Sequence, residues 1–375
     1  MQTILKGFLA GAVALTAMTV AARAAGPEVV AGPASVSPEC FKPFAADTKF
    51  LKYPKKEGPY RIALANGFVG NTWRIQMIKT IKAYSEQADV ASDIKELKVV
   101  STGTDVAAQI AAIDNFINSG YDAILTIAVN PTAFAPVIKR ANDAGVVLVP
   151  FDNVLDTDKV IQVNEDQLKI GQIWGQWIVD KVPNGGKILE IRGLAGNSVD
   201  RDRHVGFREI VEPSGKYEIV EVVGNWDDGT AQKVAADAIA VHKKFDGMMV
   251  QGGSTGAVRA FMDAGHAFIP VAGEAENGFR KLCAENGDKG LVCSSAGQSP
   301  GLVAIALKTA ITALKGETLP QYVSVPIPLV EHPNFKAGES HYPELGDNFF
   351  TPNEFPPCGV NIKATEIMGK SEADQ

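Results

Sequence analysis

The stretch Arg61-Ile62-Ala63-Leu64-Ala65-Asn66-Gly67-Phe68-Val69-Gly70-Asn71-Thr72-Trp73-Arg74 decides the reading of this chain. Four small or apolar residues, Ile62–Ala65, suit a buried strand and run into a turn rich in Asn and Gly. A helical pattern follows, with Ile75, Ile78 and Ile81 on one side. In an open parallel sheet, ligands sit beyond the carboxyl ends of the strands, where such turns gather. Asn71, Trp73 and Arg74 would project there as an amide, a flat aromatic face and a guanidinium, a set able to hold a small polyhydroxylated molecule. Turn preference alone also accounts for the Asn and Gly residues, and Trp73 alone could be a core residue.

The same alternation extends outward. Strand-like runs at Ile62–Ala65, Leu97–Ser101, Ala123–Val129 and Val146–Phe151 alternate with helical segments at 72–88, 105–119 and 136–144. Gly120 and Gly145 fall where helices end. After a junction near Gln162–Asp166 the rhythm restarts. Strands are expected at Lys187–Ile191, Ile219–Val223, Met248–Gln251, Phe268–Ala272 and Leu291–Ser294, with helices near 165–181, 199–211, 230–243, 255–264 and 276–286. A helix at 300–315 and one alternating strand, Tyr322–Val330, complete the pattern. Repeated βαβ units imply an α/β fold with parallel sheets. At 375 residues, two lobes are expected rather than one core.

Composition narrows the function. A formal charge of −7 with no long basic stripe argues against a nucleic-acid partner. Lys6, the apolar run Phe8–Val20 and Ala22-Arg23-Ala24 read as a secretory signal over residues 1–24, cut after Ala24 or Ala25. Residues 25–59, rich in Pro, Gly, Ala and Ser, read as an extended arm, and residues 335–375 as an irregular tail. Cys40, Cys283, Cys293 and Cys358 suit an oxidising compartment and allow three pairings. Cys283 with Cys293 would close a short loop, and Cys40 with Cys358 would tie the two extensions together. Buried free thiols are the alternative. No cysteine pair or helical histidine pair has metal-ligand spacing, so no metal or other cofactor is expected.

Further polar and aromatic residues recur just past predicted strands. Asp152-Asn153 follow Val146–Phe151 and could accept from and donate to hydroxyls, or serve as a local turn. Arg201 begins a helix for which Ser198 is the natural N-cap; its fork could reach two oxygens or form a surface ion pair. Trp226 could stack on a sugar ring or pack in a core. Glu274, Glu276, Asn277 and Gln298 stand at the same phase in the second half. Gly252-Gly253-Ser254-Thr255-Gly256 matches the G-x-S-x-G elbow of α/β hydrolases. A histidine should follow the acid, but His332 and His341 both precede Asp347, so they fit only with Asp263 or another earlier acid. No oxyanion segment lies upstream, and Ser254 serves equally as a helix N-cap.

With these residues in place, the chain resembles the periplasmic sugar-binding proteins of ABC importers, of the ribose-binding type, over residues 60–330. The resemblance rests on Ile62-Ala63-Leu64 with Asn71 before Trp73, Asn130-Pro131-Thr132, Asp152, Gly193-Leu194-Ala195-Gly196-Asn197-Ser198, Arg201-Asp202-Arg203 before Gly206-Phe207, Gln298 and Lys315-Gly316-Glu317. It implies two Rossmann-like lobes joined by a three-strand hinge, with the ligand cleft between them. Residues 60–163 with 299–327 would form the N-terminal lobe, and 164–298 with 328–334 the C-terminal lobe. It further implies a periplasmic, monomeric, non-enzymatic receptor that closes over one monosaccharide and delivers it to an inner-membrane permease, or presents it to a sensor. Asn71, Trp73, Arg74, Asn130, Asp152, Asn153, Arg201, Trp226, Glu274 and Gln298 are the expected ligand contacts. Arg74 departs from a second aromatic, Asn153 from an arginine, Gly252-Gly253 from Asn-Asp, and Glu274–Asn277 from a single aspartate. These departures point to a sugar other than ribose.

Overall fold

The computed structural model describes residues 26–373. The expected export signal lies outside the described residues.

Four parallel strands form the first sheet in the order Ile94–Ser101, Tyr60–Asn66, Ala123–Ile127, Val147–Pro150. The central strand is buried on both faces, with Ile62, Ala63, Leu64 and Ala65 wholly enclosed. That is why it reads as a continuous apolar run instead of an alternation. Burial of a residue such as Ile62 or Leu64 stabilises by about 1.5–3 kcal/mol. Helices α1 (Thr72–Ser85), α2 (Val106–Asn118) and α3 (Ala135–Asp143) connect these strands. Gly120 and Gly145 adopt φ of 72° and 66°, the left-handed geometry that ends α2 and α3.

The second sheet runs Tyr217–Val223, Gly186–Arg192, Gly247–Val250, Val271–Gly273, Cys293–Ala296, all parallel, with Leu329–Glu331 antiparallel at its edge. Its helices are α4 (Gln167–Lys181), α5 (Ser198–Val211), α6 (Asp228–His242), α7 (Ser254–Asp263) and α8 (Asn277–Asn286). The chain then returns to the first lobe as α9 (Leu302–Leu314), whose apolar residues join that lobe's core.

Three passages link the lobes. Two are strands, Gln162–Asn164 and Tyr322–Ser324, paired in parallel, with Lys42–Pro43 of the arm beside the latter. The third, Gly297–Gly301, is a turn leading into α9. The single strand expected over Tyr322–Val330 is two short strands in different sheets, because Pro326 and Pro328 remove donors between them.

Both extensions are more ordered than their composition suggested. Arm strands Glu28–Val30 and Phe50–Lys52 form an antiparallel sheet with Thr318–Pro320. The tail carries a hairpin, Glu354–Phe355 with Val360–Asn361, and a short helix α10 (Ala364–Met368). Disulfides join Cys40 to Cys358 and Cys283 to Cys293, so of the three pairings the tail-to-arm one is realised. No helix among the described residues is long and apolar enough to cross a membrane.

Candidate functional site

A cavity lies between the lobes, with about 360 Å³ of empty space when the open solvent at its mouth is included. Asn71, Trp73, Arg74, Asp152 and Asn153 line it from the first lobe, and Val199, Arg203, Trp226, Glu274 and Gln298 from the second lobe and the third passage. Phe350 of the tail completes the wall.

The first-lobe residues sit at the start of α1 and in the turn after Val147–Pro150. The Asn71 side chain caps α1, its Oδ1 accepting from the Arg74 N–H at 2.9 Å, while the residue also faces the cavity. Capping and lining are thus the same placement. Trp73 donates its indole N–H to the Gln298 carbonyl at 2.9 Å, across the lobe boundary. Arg74 is buried and donates to Asn66 Oδ1 at 2.9 Å. Burial lowers its pKa to about 10, against the pull of Asp152. Asp152 adopts φ of 59° at the end of Val147–Pro150, an uncommon conformation for a non-glycine residue. Its carboxyl is pushed up to about 7 by burial, while Arg74 and Arg203 act to lower it. Between them, the Asn153 amide is satisfied with its oxygen toward Arg74 Nη2 at 2.7 Å and toward Asn197, and its nitrogen toward Asp152 Oδ2 at 2.6 Å.

The second-lobe wall is an ion-pair network. Arg203 is wholly buried and donates to Glu274 Oε1 at 2.6 Å, Gln298 Oε1 at 2.5 Å, Gln167 Oε1 at 2.8 Å and the Gln251 carbonyl at 2.7 Å. Burial raises the Glu274 pKa even with Arg203 beside it. Two glycines make this placement possible. A Cβ on Gly171 would lie 2.2 Å from the Arg203 carbonyl, and one on Gly206 would lie 2.1 Å from that of Leu168. Their absence lets α4 and α5 meet backbone to backbone.

Trp226 enters on a turn in which Asn225 and Trp226 themselves have φ of 55° and 57°. A Cβ on Gly193 would overlap the indole at 2.1 Å, and one on Gly252 would lie 2.9 Å from it. The departure at Gly252 therefore makes room for Trp226 beside Glu274. The indole N–H of Trp226 and the amide nitrogen of Gln298 have no hydrogen-bond acceptor among the described residues. Buried donors are normally satisfied, so two donors without acceptors beside a cavity are notable.

Eight of the ten expected positions line the cavity. Arg201 does not: it pairs with Asp202 at 2.7 Å and Asp156 at 3.6 Å on the exposed face of α5. Positions 201 and 203 point about 200° apart on a helix of 3.6 residues per turn. Arg203 shares its face with Val199 and Phe207, four positions either side, and that apolar spacing was the available signal. Asn130 also stands apart; its Oδ1 accepts from the Thr132 and Ala133 N–H groups within its own turn. Phe350 was missed because the tail carries no period. The N-cap of α5 is Asn197 instead of Ser198, and that of α7 is Gly253 instead of Ser254.

The hydrolase alternative fails on geometry. Ser254 is wholly buried, and its Oγ accepts the Glu274 N–H at 3.1 Å. Glu276 occupies the α7 N-terminus, accepting from the N–H groups of Gly253, Ser254 and Thr255. His332 lies against Gly287, at the opposite end of α8 from this site.

Two parallel-sheet lobes with a polar and aromatic cavity between them define a two-lobe solute-binding protein. Residues 62–318 match the periplasmic binding protein domain, and the chain belongs to that family, whose members bind solutes and do not transform them. It is 28% identical to the D-ribose/D-allose-binding protein of Pseudomonas aeruginosa, over 73% of this chain and 89% of that one. Identity to the ribose import binding protein of Bacillus subtilis is 23%, over 73% and 88%. Among solved structures, an ABC transporter solute-binding protein from Thermobispora bispora superposes with a TM-score of 0.67 at 28% identity, covering 73% of this chain and 85% of that one.

Proposed function

We propose that this chain is an extracytoplasmic receptor that binds one neutral monosaccharide, a pentose or hexose including deoxysugars, and delivers it to an ABC permease of the inner membrane. The observation that carries the ligand class is charge balance. Arg74 and Arg203 face Asp152 and Glu274 in one cavity, so neither an anion nor a cation is favoured, and every charged group can bond a hydroxyl. Trp73 and Trp226 supply apolar faces for ring C–H groups. Hydrogen bonds to charged groups contribute about 1.5–3 kcal/mol each, so a few reach the roughly −8 kcal/mol of micromolar binding after ordering costs.

The ligand contacts in this reading are Asn71, Trp73, Arg74, Asp152, Asn153, Trp226, Glu274 and Gln298, with Arg203 in the role first expected of Arg201. The relatives bind ribose or allose by name, but Arg74, Asn153 and Glu274, three departures from the ribose-type pattern, all line this cavity. They favour a sugar of different size or hydroxyl stereochemistry. The lobes would hinge at the passages near 163, 299 and 327. Export would follow cleavage after Ala24 or Ala25. A thermal-shift screen of the mature chain against pentoses, hexoses, deoxysugars, polyols and sugar acids tests the reading. Neutral monosaccharides should raise the melting temperature. A shift only with sugar acids would refute the neutral class.

A further inference from the structure

The C-terminal tail lies beyond the matched family domain, yet it reaches the cavity. Its segment Asp347–Thr351 is laid along the loop that carries Glu274 and Glu276. Asn277 N–H donates to the Phe349 carbonyl and Gly278 N–H to that of Asp347, both at 2.8 Å; Phe350 forms an antiparallel bridge with Glu276. From the opposite lobe, the Gln76 side chain on α1 clasps the Phe350 backbone. Its Oε1 accepts the Phe350 N–H at 2.8 Å, and its Nε2 donates to the Phe350 carbonyl at 2.9 Å. Arg280 donates to the Ser340 carbonyl and to Thr351 Oγ1 at 3.0 Å, and the Cys40–Cys358 bond anchors the segment behind.

Phe350 is 5% exposed and borders two cavities. One is the inner cavity; the other is an outer one, with about 510 Å³ of empty space including open solvent, that shares with it Asn71, Trp226 and Phe350. The two are unlike in chemistry. Both guanidiniums belong to the inner cavity. The outer one has three acids, each already committed: Asp227 to Thr230, Asp228 to the Gly256 N–H and Glu276 to the start of α7.

From this we infer that the tail is a built-in wall of the ligand site and that Phe350 determines specificity for ligand length. Its ring partitions the cleft so that the inner cavity holds one sugar ring and the outer space is closed to a second. This rests on the sugar-receptor reading above. Removing the ring would join the two spaces, weakening the fit of a monosaccharide and admitting a glycoside whose second ring extends outward.

The test is calorimetric titration of the mature full chain and its Phe350→Ala and Phe350→Leu variants with the best monosaccharide of the screen and with disaccharides containing it. Phe350→Leu keeps an apolar group in the core, should the alanine variant fold poorly. The expected result is a fall of tenfold or more in the ratio of monosaccharide to disaccharide affinity, larger for alanine than for leucine. An unchanged ratio in a variant with native-like melting overturns the inference. Acrylamide quenching of indole fluorescence reads the wall without any sugar. Quenching of Trp226 should rise at least twofold in Phe350→Ala or, failing that, measurably in Phe350→Leu. Unchanged quenching overturns the wall even if no sugar in the panel binds, an outcome that would separately refute the sugar reading.

Discussion

The two walls of the cleft are built differently. On the first-lobe side, Asn71, Trp73 and Arg74 come from the cap and first turn of α1, and Asp152-Asn153 from the turn that follows Val147–Pro150. Their charges are separated: Arg74 bonds Asn66, and the Asn153 amide stands between it and Asp152. On the second-lobe side, Arg203, Glu274 and Gln298 come from three distant segments, and they lock one another through direct bonds of 2.5–2.6 Å. One wall holds its charges apart, with a carboxyl near neutrality, and the other holds them as a closed pair. A separated group has bonding capacity left for a ligand. A paired group has less capacity left and adds shape and rigidity.

The largest way to break this contrast is Arg203→Ala. It would leave the Glu274 carboxylate buried without its partner, which typically costs about 3–5 kcal/mol. Denaturant unfolding should show the loss, and a change under about 1 kcal/mol would mean that the wall is not held by this pair. Asp152→Ala should act on binding more than on stability. Loss of its bonds to the sugar is worth about 1.5–3 kcal/mol, a fall in affinity of tenfold or more by calorimetry. Affinity within a factor of two of the parent would remove Asp152 from the site.

The pH dependence of the unliganded protein sharpens the comparison. Burial raises Asp152 to about 7 and Glu165 to about 8, with Arg74, Arg203 and Glu274 as their charged neighbours. Glu276, packed against Asp228, is raised to about 8 by the same burial. A carboxyl whose folded pKa lies above its unfolded value binds more protons when folded. The contribution of these groups to stability is full below about pH 4 and is lost as pH rises through about 7 and 8. Melting temperatures should fall between pH 5 and pH 8.5, and less steeply in Asp152→Asn. A rise across that interval would contradict the buried carboxyls. Smallest of all, Arg201→Ala should change affinity by less than twofold, since its exposed pairs with Asp202 and Asp156 contribute little.

The same contrast explains what could be read in advance. The first wall was legible because strand, turn and helix cap lie within a dozen residues, so local preference and function coincide at Asn71. The second wall was legible only in part. Trp226, Glu274 and Gln298 follow strands, but choosing between Arg201 and Arg203 required knowing which face of α5 meets α4. The close approach at Gly171 and Gly206 settles that, and neither glycine announces its partner in the chain. Tyr322–Val330 failed differently: its alternation was real, but Pro326 and Pro328 divide it between two sheets. The tail had no periodic signal, so its ordering by Asn277, Arg280 and Gln76 was invisible.

Periodicity and turn chemistry alone determined the alternating elements, the two-lobe organisation and most of the residues at the strand ends, because backbone bonding and burial act over a few neighbouring positions. Tertiary structure alone decided which arginine faces the cleft and which tail residue lines it. Those outcomes depend on surfaces that meet only after segments far apart in the chain have packed, and the energies that choose among them reside in those contacts.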